Sequence, residues 1–245
     1  MRSAHRIFFV MTIFLLHLYA LQAPITWDEV AKAKHAAYRA LEDYYETWSV
    51  RILDEEGEDS FFLDRYLAKE KYRISLRKGT TFLLESGYDG QRRWIVSHER
   101  RAYAVLQGPN PAYSDPWKPV DAKAIPANSF HFNFLDGYDL TFQSNPPLKV
   151  IEDQKEEGYR RIRSKAVRTD TGATVTVTEW FHADSWLLAK FDVDIVDGER
   201  TLSHIEGRVV NSSKQASNPA KRFEMPSTVA ESYREVPWSQ IGGPE

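Results

Sequence analysis

Apolar and polar residues repeat along this chain with two periods, and the change between them falls near Trp48. From Trp27 to Thr47 the apolar positions Val30, Ala37, Tyr38, Leu41, Tyr44 and Tyr45 keep a three-four spacing that runs on to Trp48. Only Lys34 breaks this stripe, and Asp28, Lys32, Arg39, Glu42 and Asp43 lie off it. The spacing predicts a helix with one buried side. Thr26, followed three residues later by Glu29, has the arrangement of a capping box and marks its start.

Beyond Trp48 the period becomes two, the signature of strands with one face buried. Trp48, Val50 and Ile52 alternate with Ser49 and Arg51 up to an acidic turn at Glu56, Gly57 and Glu58. Further strands are expected over Phe61–Leu67, Tyr72–Leu76, Thr81–Ser86, Arg93–Ser97 and Ala102–Leu106, then over Phe132–Phe142 with interruptions. Leu148–Asp153, Tyr159–Arg168, Ala173–Phe181, Leu187–Val196 and Thr201–Val210 complete the series, and Phe223–Met225 is expected to add an edge strand. Turns at Asp89-Gly90 and Asp197-Gly198 join neighbours of opposite direction, so the expected class is α+β, mainly antiparallel β. The proline-rich stretch 109–129 is a long loop that either serves as a lid or merely connects.

A helix of about 20 residues cannot cover one face of so many strands. Some apolar sheet surface must then be covered by the loop, by curling of the sheet, or by a ligand. The aromatic residues Trp48, Tyr72, Phe82, Trp94, Tyr103, Phe181 and Phe191 sit on these strands, where they either line a concave groove or pack beneath the helix. The candidate groove consists of these residues with Val50, Ile52, Ile74, Leu76, Leu84 and Val96.

The first 23 residues change the picture from a globule to an exported one. Arg2 and Arg6 precede an apolar run from Ile7 to Leu21, and small residues stand at Ala20 and Ala23. The run is shorter than the roughly 20 residues that span a bilayer. It reads as a secretory signal cut after Ala20 or Ala23, with a retained anchor as the alternative. Residues 24–245 then form one domain, with 227–245 as an extended tail, and the expected location is the periplasm or the extracellular space. A net charge of −3 argues against nucleic acid as a partner. The absence of cysteine excludes disulfides, thiolate metal sites and a lipidated cysteine.

Catalytic signatures are missing: there is no G-x-S-x-G, H-E-x-x-H, Walker loop or G-x-G-x-x-G. His182 with Asp184 and His204 with Glu206 are i, i+2 pairs that share a strand face but lack a third ligand. Asp192, Asp194 and Asp197 do not keep the spacing of a calcium loop. Two basic clusters, Arg160, Arg161, Arg163, Lys165 and Arg168, and Arg92, Arg93, Arg100 and Arg101, are either solvated faces or contacts for anionic headgroups or an acidic partner. No enzyme activity, cofactor or metal is expected.

The order of elements resembles the LolA-like superfamily, the periplasmic carriers of outer-membrane lipoproteins and their relatives. The likeness rests on Thr47-Trp48-Ser49-Val50, on Lys71-Tyr72-Arg73-Ile74-Ser75-Leu76, and on Tyr88-Asp89-Gly90 followed by Trp94. It continues in Trp186-Leu187-Leu188-Ala189-Lys190 leading to Asp197-Gly198, and in Phe223-Glu224-Met225-Pro226. The resemblance implies a curved, incomplete antiparallel barrel, a half-barrel with the helix and a lid on its concave side, holding acyl chains there. It implies a monomeric carrier of a lipoprotein acyl chain, a lipid or another hydrophobic ligand, in transient contact with a membrane complex. An envelope sensor or protein-interaction module with an envelope protein partner is the alternative. The long middle loop and the tail to Glu245 depart from the carrier pattern and broaden the expected cargo beyond lipoproteins.

Overall fold

The computed structural model describes residues 25–68, 71–108, 129–133, 141–214 and 223–241. The expected export signal lies outside them, and of the 109–129 loop only Ser129 is described.

Helix α1 spans Trp27–Arg39 and opens as expected: Thr26 caps it, and Glu29 bonds back to the Thr26 amide at 2.7 Å. It ends eight residues earlier than the three-four spacing predicts. The reason lies in the next residues, where Tyr44, Tyr45, Thr47, Trp48, Val50 and Ile52 are aromatic or β-branched and fit a pleated surface better than a helix. Strand β1 (Tyr44–Asp54) takes them.

Fourteen described strands follow in all. After β1 come β2 (Gly57–Ala68), β3 (Lys71–Lys78), β4 (Thr81–Tyr88), β5 (Arg92–Ser97) and β6 (Ala102–Gln107). Next are β7 (Ser129–Asn133), β8 (Thr141–Asn145), β9 (Lys149–Glu156), β10 (Tyr159–Val167), β11 (Thr174–His182), β12 (Leu188–Asp197) and β13 (Arg200–Ser213). Helix α2 (Ser227–Ser232), the two-residue β14 (Arg234–Glu235) and a 3₁₀ turn over Trp238–Gln240 close the described chain.

Twelve strands form one open, curved sheet in the order β14-β6-β5-β4-β3-β2-β1-β13-β12-β11-β10-β9. Two antiparallel meanders, β1 to β6 and β9 to β13, are thus joined along one seam, where β1 pairs with β13 from Tyr45↔Ser213 to Asp54↔Ser203. The turns are the ones the sequence marks. Asp89 accepts from the amides of Gln91 and Arg92 at 2.8 Å each. Gly198, with φ of 59°, sits in the two-residue turn between the paired Asp197 and Arg200.

Two expectations are corrected. Phe223–Met225 is not a strand; the short edge pairing is made instead by β14, parallel to β6. The region expected as one interrupted strand, Phe132–Phe142, contributes to a separate hairpin of β7 and β8, in which Phe132 pairs with Phe142.

Candidate functional site

Register divides the sheet's side chains into two faces, since residues paired across strands point the same way. The inner face, on which α1 lies, carries Trp48, Val50 and Ile52 of β1 opposite Leu63 and Phe61 of β2, then Tyr72, Ile74 and Leu76 of β3 and Leu84 of β4. Across the seam it continues through Val209 and Ile205 to Phe191 and Val193, then to Val177, Val175 and Phe181 of β11. Val30 and Tyr38 of α1 and Phe142 of β8 pack into this surface. Phe142 meets Phe191 edge-on at 5.1 Å, and Phe191 lies 5.6 Å from Trp48. The Phe191 ring also occupies the space beside Gly207, where a Cβ would stand 2.2 Å from it.

Nine of the thirteen residues expected to line a groove share this face: Trp48, Val50, Ile52, Tyr72, Ile74, Leu76, Leu84, Phe181 and Phe191. All but three are buried; Ile52, Leu76 and Leu84 are half-buried. The remaining four, Phe82, Trp94, Val96 and Tyr103, point to the outer face. Alternation within a strand groups residues correctly but does not say which side a group takes. For Phe82 a bulge, with Leu76↔Leu84 followed by Arg77↔Phe82, reverses the alternation.

Three of these, Trp94, Val96 and Tyr103, are covered by the tail, whereas Phe82 stays exposed. Trp94 donates its indole N–H to the Phe223 carbonyl at 2.8 Å, and its ring fills the space left by Gly87, where a Cβ would stand 2.4 Å away. Val229, Met225 and Tyr233 pack against Trp94, Val96 and Tyr103. The chain then turns around the β6 edge, where Val236 donates to the Tyr103 carbonyl at 2.9 Å, and sets Trp238 against Arg93, an inner-face residue, at 5.0 Å.

Two charged pairs lie within the apolar inner face. Lys34 of α1 reaches Glu179 of β11 at 2.8 Å, with side chains 1% and 0% exposed. Its ammonium also stands 5.4 Å from the Phe142 ring and 6.0 Å from Trp27, so one cation links helix, hairpin and sheet. Lys34 is the single break that the sequence shows in the helix stripe. Glu46 and Arg65 form the second pair at 2.6 Å, both fully buried, with the Arg65 guanidinium 5.0 Å from the Tyr38 ring. Burial pushes the Glu46 carboxyl up, against the downward pull of Arg65. Burial, reinforced by the Glu46 charge, pushes the Tyr44 hydroxyl up to about 12. These partners were not legible in the sequence, because each pair joins residues on separate elements.

The other sequence candidates lie elsewhere. His204 pairs with Asp194 at 2.7 Å on the outer face, and Glu206 stands 3.9 Å away. His182 sits against Tyr159 at 5.2 Å. Among the described residues no group of three or more histidines and acids is placed to hold a metal. Ser75 and His98 both approach Glu85, at 3.3 Å and 3.9 Å, an order in which the acid rather than the imidazole faces the hydroxyl. Much of the basic charge is paired: Arg161 with Glu152 at 2.6 Å, Arg168 with Asp170 at 3.0 Å, and Arg92 with Asp89 at 3.2 Å. Arg100 bonds the Gln240 carbonyl at 3.0 Å. Among the described residues no helix is long and apolar enough to cross a membrane.

Three solved proteins are similar to this chain over most of its length at low sequence identity. An uncharacterized conserved protein from Thermus thermophilus is 8% identical, with 85% of this chain and 97% of that one covered and a TM-score of 0.47. A LolA superfamily protein from Nitrosomonas europaea is 9% identical, over 82% and 98% of the two chains, with a TM-score of 0.36. The Mycobacterium tuberculosis lipoprotein LppX is 10% identical, over 78% and 96%, with a TM-score of 0.36. No family model matches the sequence, and no curated protein matches it.

Proposed function

We propose that the protein is an exported, non-enzymatic carrier that holds an acyl chain or another hydrophobic ligand against the inner face of its sheet. One observation carries this reading: the apolar inner face runs from β3 to β11, and among the described residues α1 and the β7–β8 hairpin are the elements packed on it. These covers are small, and α1 meets β11 through a buried ion pair, Lys34–Glu179. Replacing a desolvated ion pair by apolar residues of similar volume is often neutral or stabilising. A cover that never moved would gain little from such charges. Lifting α1 and the hairpin exposes Trp48, Tyr72, Ile74, Phe181 and Phe191 to a chain that gains about 0.8 kcal/mol per buried CH₂.

A second reading, an envelope sensor or interaction module, is favoured by the close filling of the inner face, where Trp48 and Phe191 are each 0% exposed. Titration of the delipidated full chain with a dansylated fatty acid separates the two. Saturable uptake with a blue-shifted emission supports carriage. Absence of uptake, together with a lipid-free mass on gentle isolation, overturns it, and recovery of one stoichiometric protein by crosslinking then supports the module.

A further inference from the structure

At one end of the inner face two turns meet. The β9–β10 turn and the β11–β12 turn are tied by the Ala183 amide donating to the Gly158 carbonyl at 3.1 Å. On this lip Trp186 has φ of 57°, in the left-handed region that a bulky residue rarely enters. The conformation belongs to a tight turn closed by Trp186 donating to the His182 carbonyl at 3.0 Å and His182 donating to the Leu187 carbonyl at 2.9 Å. Glycine would fit this backbone without strain. The Trp186 ring lies 5.4 Å from the buried Phe181 and 4.5 Å from the guanidinium of Arg160.

Arg160 is held from its other side by Asp153, which accepts from Nε at 2.8 Å and from Nη2 at 2.6 Å. Nη1 has no partner among the described residues. Directly across the β9–β10 ladder, on the same inner face, stands Lys155, exposed and without an acidic partner among the described residues. Like charges directly opposite each other in a ladder destabilise it. Arg160 and Lys155 keep that arrangement at the point where the apolar surface of Phe181, Leu188 and Trp186 ends.

We propose that this lip is a headgroup subsite: Trp186 is the platform on which the first carbons of a bound chain rest, and Arg160 with Lys155 receives an anionic headgroup, a phosphate or carboxylate attached to that chain. The inference rests on the carrier reading and names the class of ligand, an anionic amphiphile. An anion here would meet Lys155, unpaired among the described residues, and the open Nη1 of Arg160, and Asp153 fixes the guanidinium so that little ordering is left to binding.

Calorimetric titration of the delipidated full chain with dodecyl phosphate, dodecanol and dodecyltrimethylammonium, and separately with inorganic phosphate, tests this. The expected result is dodecyl phosphate binding at least tenfold tighter than the other two chains, with inorganic phosphate alone far weaker. Lys155→Glu should abolish that preference. Trp186→Gly should leave the melting temperature equal or higher while weakening dodecyl phosphate fivefold or more. Equal binding of all three chains overturns the subsite and leaves the carrier reading standing. So does an undiminished preference in both variants. Tight inorganic phosphate binding that the chain does not strengthen replaces the subsite by a free-anion site. A wild-type protein that binds no chain overturns the carrier reading and the subsite together.

Discussion

Gly207 and Gly87 show how much of this sheet is decided by single atoms. Each faces an aromatic residue paired with it in register, Phe191 and Trp94, and each ring occupies the volume of the missing side chain. Gly207→Val is expected to lower stability in urea unfolding by about 1–3 kcal/mol, the usual cost of overpacking a filled core; a wild-type midpoint would contradict the close approach. Breaking the Lys34–Glu179 pair by Lys34→Met should cost about 3–5 kcal/mol, because Glu179 stays buried after losing its cation. Lys34→Met combined with Glu179→Met should recover most of that loss, and simple additivity of the single variants would refute the coupling. Asp89 supplies a pH dependence. Burial acts to raise its carboxyl, but the amides of Arg92 and Gln91 and the Arg92 side chain outweigh this and hold it below its usual value. A depressed carboxyl contributes stability above its unfolded pKa, and the contribution is lost as pH falls through the folded value. The wild type should therefore lose stability below about pH 3.9 more steeply than Asp89→Asn, as read from unfolding midpoints across the acid range.

At the scale of elements, the tail is the part with the most specific consequence. Residues 223–241 cover Trp94 and Val96, bond the Trp94 indole, and extend the β6 edge through Arg234 and Glu235. A chain ending before Phe223 should show red-shifted tryptophan emission and concentration-dependent association in gel filtration, since an apolar patch and a strand edge are uncovered together. A monomer with unchanged emission would show that the tail is dispensable. The strands were legible because alternation survives in short segments, and the capping box at Thr26 and Glu29 set the start of α1. Its end was not legible: Leu41, Tyr44, Tyr45 and Trp48 satisfy the helical spacing as well as they satisfy a strand. Pairing of Glu46 with Arg65 on the neighbouring strand is one contact that only the strand can make.

For the whole molecule, the two meanders are each built from neighbours in sequence, and the seam between β1 and β13 is what unites them. Hydrogen exchange should be slowest in β1, β2, β12 and β13, around Trp48 and Phe191, and fastest in β9, β6 and β14 toward the edges. Equal protection across the sheet would contradict this. The inner face that the seam creates is the surface on which a carrier or a sensor would work.

The sequence by itself determined the local grammar: a capped amphipathic helix, antiparallel strands, their turns, and an apolar set placed at every second residue. Those properties depend on dihedral preference and on spacing over a few residues. Only the tertiary structure decided that Trp94, Val96, Tyr103 and Phe82 leave the face shared by Trp48, Tyr72 and Phe191, that Lys34 meets Glu179, and that the tail covers the outer side of β5 and β6. Each of these depends on register, and one bulge or one long-range pairing reverses a face without altering the pattern along the chain.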